Sequence, residues 1–139
     1  MRYSYFSFTL VFFLIGCVNQ SVQEQLNKSI DISTLKSICV ERFEHDKRNL
    51  NVIISKQLVN YGVKASAEEK CSNDFDAILT YRDKWRWDIT TYMLGISMKL
   101  NDPNTGFPLA YGQVLHTSLT RQTPEENINE VLGNIFIKK

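Results

Sequence analysis

Imidazole, carboxylate, indole and thiol groups are the side chains here with chemistry to offer, and their spacing decides which chemistry. His45 beside Asp46 suggests an imidazole held in one orientation, yet no serine elbow and no nucleophilic cysteine completes a triad with it. His116 has no second ligand at i+2 or i+4, and the cysteines and histidines match no zinc spacing, so no metal is expected. Asp83 and Asp88 differ in strand parity and would point to opposite faces, whereas an acid and a base must converge on one substrate. Six glycines are scattered along the chain without forming a phosphate-cradling loop, so no nucleotide cofactor is expected either. The expectation is a protein that is not an enzyme and carries no cofactor.

The densest group of unusual residues runs from Leu79 to Asp88 and holds both tryptophans. Tyr81, Asp83, Trp85 and Trp87 share one strand parity, while Arg82, Lys84 and Arg86 share the other. Such a strip can bind a ligand or a protein, because Trp, Tyr and Arg dominate binding hot spots. It is equally what a half-buried strand needs, with Trp85 and Trp87 closing the edge of the core and the cations solvated. Asp83 is the odd member of the aromatic face, and marks either a bulge or a point where the apolar layer opens into a cleft.

Cys17 sets the location. Arg2 supplies a positive start, Tyr5 to Ile15 an apolar run, and Leu14-Ile15-Gly16-Cys17 places a small residue just before a cysteine. The apolar run is shorter than the roughly 20 residues a bilayer-spanning helix needs, and the chain turns polar directly after Cys17. The segment resembles the lipobox of bacterial lipoprotein precursors. That resemblance implies removal of residues 1–16 and a diacylglycerol thioether on Cys17, usually with a further N-acyl chain such as palmitate. At about 0.8 kcal/mol per buried methylene, several chains hold firmly where one would not. Val18 stands where Asp often marks inner-membrane retention, so the same resemblance favours the outer membrane, facing the periplasm.

Of the 139 residues, 123 follow the signal, enough for one core and too few to expect two. The full chain has 16 Lys+Arg and 15 Asp+Glu, and loss of Arg2 leaves the signs balanced, which argues against nucleic acid as a partner. With Cys17 spent on lipid, Cys39 and Cys71 remain as a pair in an oxidising compartment and are expected to form a disulfide, the alternative being two buried thiols.

These residues must be positioned by a small set of elements. Val18 to Ser33 lack sustained periodicity and read as a flexible tether reaching about 20 to 25 Å. A first strand is expected near Leu35 to Phe43. Leu50, Ile53, Ile54, Leu58 and Tyr61 then mark a helix capped by Asp46 or Asn49 and closed by Gly62. A short strand after Gly62 and a polar loop carrying Cys71 precede three strands. These are Phe75 to Trp87, then a strand with Tyr92, Leu94, Ile96, Met98 and Leu100 inward, then one built on Leu109, Tyr111 and Leu115. The second and third join through the turn Asp102-Pro103-Asn104-Thr105-Gly106. Thr123-Pro124-Glu125-Glu126 is a capping box that opens a last helix with Ile128, Val131, Leu132, Ile135 and Phe136 on one stripe, and Lys138 and Lys139 at its end. The expected fold is α/β of the α+β type: a mainly antiparallel sheet with two helices on one face, in the order β-α-(β)-β-β-β-α. The expected organisation is a signal peptide over 1–16, the lipidated Cys and tether over 17–33, and one periplasmic domain over 34–139.

Cys39 ahead of a helix, Gly62 ending it, Cys71, then Leu79-Thr80-Tyr81 with Trp87-Asp88 resemble a group of small uncharacterised bacterial lipoproteins. The resemblance implies a location and a fold and carries no reaction. The functional expectation is a membrane-anchored accessory or scaffold protein that contacts another envelope protein. The alternative is a module binding an apolar or glycan ligand at Trp85 and Trp87.

Overall fold

A computed structural model describes residues 21–26, as backbone, and residues 31–137. Residues 1–16, Cys17, Val18, and Lys138 and Lys139 lie outside the described residues. In chain order the elements are β1 (Ser21–Leu26), β2 (Ser37–Glu41), α1 (Leu50–Val59), β3 (Lys64–Glu68), β4 (Ala77–Asp88), β5 (Thr90–Asn101), β6 (Pro108–Leu115) and α2 (Pro124–Phe136). The strands form one sheet in the order β1-β6-β5-β4-β2-β3. β2 pairs in parallel with β3 and with β4, and the other three pairings are antiparallel. This is the expected α+β class.

Both helices lie on the face defined by Ile38 and Val40 of β2, Leu79 and Tyr81 of β4, Met98 and Leu100 of β5, and Ala110 and Val114 of β6, all buried. α1 contributes Leu50, Ile54 and Leu58, and α2 contributes Ile128, Val131, Leu132 and Ile135. Each such side chain is worth about 1.5 to 3 kcal/mol of transfer free energy, and this burial, more than intrinsic propensity, fixes the helices. The α2 N-terminus forms as its sequence requires: Glu126 N–H donates to Thr123 Oγ1 at 3.2 Å, and Thr123 N–H donates to Glu126 Oε2 at 2.7 Å. Against α2 the sheet is stripped to Gly112, where a Cβ would come within 3.0 Å of Val131 and 3.1 Å of Ile135. At the start of α1, Asn49 holds a left-handed φ of 56° without capping through its own side chain. The Asp46 carboxylate does that work, accepting the N–H groups of Arg48 and Leu50 at 2.7 Å each. Gly62 takes a φ of +79° just after α1, as expected.

Four expectations need correction. The segment read as a tether contains β1, which pairs along β6 from Ser21↔Leu115 to Leu26↔Ala110. The reason is that the outer edge of β6 presents backbone donors and acceptors that a polar strand satisfies as well as an apolar one. Along β5, a register shift opposite Lys84 and Trp85 leaves Leu94 as an extra residue, so the inward set passes from Ile96, Met98 and Leu100 to Met93 and Leu94 is displaced. A second shift between Leu100 and Asn101 makes Ala110 and Val114 the inward residues of β6, with Tyr111 half-buried and Leu115 exposed on the other face. Leu109 is still buried, at the shift itself. Finally, Trp87 closes no core edge: it is 74% exposed, because β4 runs on past the helices.

Candidate functional site

Alternation along β2 sends Ile38 and Val40 under the helices and Cys39 and Glu41 to the opposite face, which no helix covers among the described residues. There Cys39 is bridged to Cys71 of the β3–β4 loop, with Cα atoms 6.0 Å apart, as the cysteine count implies. The bridge draws the flanking charges together. Glu41 accepts the Cys71 N–H at 3.1 Å and pairs with Lys70 at 3.3 Å, while Arg42 pairs with Glu69 at 2.7 Å and reaches the Asp46 carbonyl at 3.1 Å. The hydrogen bond that the Arg42 guanidinium donates to Glu69, reinforced by the charge of that carboxylate, raises the Arg42 pKa above its ordinary value.

These residues wall a recess of about 690 Å³ whose floor comes from β4 and β5, with Arg82 and Lys99 on it and Tyr111 at its far side. The Arg82 guanidinium lies 5.6 Å from the centre of the Phe43 ring. Among the described residues, neither Arg82 nor Lys99 has a carboxylate partner, so the floor is cationic, while the wall holds the two ion pairs and one further carboxylate, Glu44. Reading the sequence missed this recess. Its signal was present: Glu41-Arg42 follows one bridging cysteine and Glu69-Lys70 precedes the other.

The four aromatic-strip residues do not converge. Tyr81 is buried and donates its hydroxyl hydrogen to Asp46 Oδ2 at 2.6 Å. Burial by itself raises the Asp46 pKa, but the hydrogen bonds from Tyr81, Arg48 and Leu50 outweigh it and the net shift is downward. Burial, and then the bond to Asp46, push the Tyr81 phenol well above its ordinary range. Asp83 borders a recess of about 260 Å³ between β4, β5 and β6, and its carboxylate accepts the Trp85 indole N–H. Trp85 is half-buried and the Arg48 guanidinium sits on its ring, 3.8 Å from the centre. The bulge anticipated near Asp83 exists, but on the neighbouring strand at Leu94. His45 is exposed and stacked on Phe43 at 5.4 Å. His116 is buried, with Nε2 3.2 Å from Glu130 Oε2. Among the described residues no group of three or more His, Cys, Asp or Glu side chains is placed to hold a metal.

A second surface stands at the far end of β4. The β4–β5 hairpin turns on Ile89 alone, with φ +61° and 88% exposure, beside exposed Trp87. Leu119, also 88% exposed, lies in the loop after β6. Arg121 ties that loop to the hairpin, pairing with Asp88 at 3.2 Å and covering the Tyr92 ring at 4.2 Å. The three apolar side chains therefore share one end of the molecule. Exposed Lys84 and Arg86 flank them on β4.

No family model matches the chain, and no curated protein matches it. Among solved structures it is similar to PelC from Paraburkholderia phytofirmans, a dodecamer, with TM-score 0.61 and 12% identity over 87% of this chain and 100% of that one. It is also similar to a PDZ domain protein from Parabacteroides distasonis, with TM-score 0.54 and 8% identity over 88% of this chain and 38% of that one. At these identities the likeness is one of fold. No described helix is long and apolar enough to cross a membrane.

Proposed function

We propose that the chain is a membrane-anchored bacterial envelope lipoprotein with an accessory or scaffold role, whose domain grips an acidic segment of a partner protein in the recess on the helix-free face. The observation that carries this reading is the Cys39–Cys71 bridge. It suits an oxidising compartment, and it pins the loop bearing Glu69 and Lys70 against β2, so one wall of the recess is set before any partner arrives. The partner's chemistry follows from the floor: Arg82 and Lys99 have cationic heads without carboxylate partners among the described residues, next to the hydroxyl groups of Thr80, Ser97 and Tyr111. Such a surface attracts carboxylates and steers their approach in a salt-dependent way. The sequence supplies the location, through Leu14-Ile15-Gly16-Cys17 and Val18. Binding of a glycan or apolar ligand at Trp85 and Trp87 is the weaker reading, because Arg48 occupies the Trp85 ring.

Placing a photo-crosslinking amino acid at Ser97, which pairs with Arg82 across the β4–β5 ladder, tests the proposal in intact envelopes. A discrete adduct whose yield collapses with Arg82→Glu plus Lys99→Glu, and falls with added salt, is the expected result. An adduct indifferent to both, or none at all, rejects the recess as the contact.

A further inference from the structure

We infer that the end of the molecule carrying Trp87, Ile89 and Leu119 rests on the bilayer surface, so that the domain is seated on its membrane and does not hang from it on a long tether. The inference builds on the lipid-anchor reading and adds an orientation to it. Three observations carry it. First, the three most exposed of the described large apolar side chains are gathered at one end, on the β4–β5 hairpin and the loop after β6, Trp87 at 74% exposure and Ile89 and Leu119 at 88% each, while Phe107 at the opposite turn is 53% exposed. Trp with aliphatic neighbours is the composition that partitions into the headgroup boundary. Second, Lys84 and Arg86 flank the tip, and the acid beside the turn, Asp88, is paired with Arg121. A cationic rim around an apolar point complements anionic headgroups.

Third, the chain enters the fold at this same end. Ser21 pairs with Leu115, Leu115 with Gly95, and Gly95 with Lys84, so these four residues form one row across the sheet. β1 runs away from the tip, because it is antiparallel to β6, whose C-terminal end leads to Leu119. Whatever precedes Ser21 therefore arrives from the tip side. Cys17 is four residues earlier, a reach of at most about 14 Å at roughly 3.5 Å per residue. Ile89 lies five residues beyond Lys84, an overhang of about 16 Å at strand rise. The two lengths match, so acyl chains on Cys17 and the side chains of the tip can enter one surface together. A 16-residue tether is not available to lift the domain away, because six of its residues are pinned in β1.

The test uses the full-length protein purified from membranes and reconstituted in vesicles of phosphatidylethanolamine and phosphatidylglycerol. An environment-sensitive fluorophore is attached at Ile89→Cys, at Leu119→Cys or, as the control at the opposite end of the meander, at Asn104→Cys. Mass spectrometry of the same samples reads the acyl groups independently. The expected result is acylated protein with a blue shift at positions 89 and 119 and none at 104. Acylated protein with positions 89 and 119 as wet as 104 overturns the seated orientation and leaves the anchor standing. Protein without acyl groups that still shows the blue shift on excess vesicles keeps the tip contact and removes the anchor. Absence of both removes both. A blue shift that grows with protein concentration in the absence of vesicles assigns the tip to a second copy of the chain and overturns the inference.

Discussion

Two hairpins of one meander solve the same geometric problem with opposite chemistry. The β5–β6 turn is built for folding: Asp102 Oδ1 accepts the N–H groups of Asn104 and Thr105 at 2.9 and 2.8 Å, the Asp102 N–H donates to the Phe107 carbonyl at 2.8 Å, and Gly106 takes the left-handed φ of +70°. The β4–β5 turn puts a β-branched Ile89 at φ +61°, where Gly or Asn is the ordinary choice, and leaves it exposed. Left-handed backbone costs a non-glycine residue about 1 to 2 kcal/mol, more awkwardly for a branched side chain. Burial does not offset this, because Ile89 is 88% exposed. A turn that satisfies its own backbone needs no outside explanation, whereas one that spends stability to expose isoleucine beside tryptophan is explained by what it touches.

The largest expected effect separates both hairpins from the recess. Removing the bridge with Cys39→Ser and Cys71→Ser lowers stability by about 3 to 4 kcal/mol in the chain-entropy model for a loop of this length. Hydrogen exchange should then rise in residues 68–71 and leave the two turns unchanged. Next comes the bulge that shapes the apolar hairpin. Gly95→Ala sets a Cβ against the Val114 carbonyl oxygen, a backbone atom that cannot swing away, and a loss of about 1 to 3 kcal/mol in urea unfolding is expected. The sharpest comparison is a pair of opposite signs: Gly106→Ala destabilises by about 1 kcal/mol, while Ile89→Asn stabilises by up to about 1 kcal/mol. Equal signs would break the contrast between the turns. The smallest effect is in acid. Hydrogen bonds from Thr105, first through its backbone and then its hydroxyl, and from the Asn104 N–H hold the Asp102 pKa below its ordinary value. A carboxylate depressed in the folded state adds stability that is full above its unfolded pKa of about 3.9 and is lost as pH falls through the folded pKa. Asp102→Asn should therefore narrow its deficit relative to wild type as a denaturation series is carried below about pH 4.

Local chemistry was legible wherever it was self-contained. The capping box at Thr123, the turn at Asp102, the left-handed Gly62 and the pairing of Cys39 with Cys71 can each be read from a few residues. What escaped depended on partners distant in sequence. β1 exists because the β6 edge needs pairing, and its own residues announce nothing. A one-residue bulge at Leu94 reverses parity, so an unbroken reading of alternation that is right for Ile96, Met98 and Leu100 fails toward the start of β5 at Leu94 and misses Met93, and a second shift displaces the reading of β6. Of the aromatic strip, Tyr81 went to the core, Trp85 to an Asp83–Arg48 sandwich and Trp87 to the surface, because the helices cover only the first half of β4. Of the recess, the sequence carried the wall, in the charges flanking the two bridging cysteines, but not the floor, because Arg82 and Lys99 meet that wall only through the sheet order.

The contrast between the turns rests on Trp87 and Ile89 meeting lipid, and Trp87 is itself a reporter. With Trp85→Phe removing the other indole, the reconstituted protein carries one indole, at the tip, which can be excited apart from the six tyrosines. Brominated phospholipids quench an indole only on contact, so the account predicts loss of Trp87 emission in brominated vesicles. Emission equal to that in ordinary vesicles would contradict it.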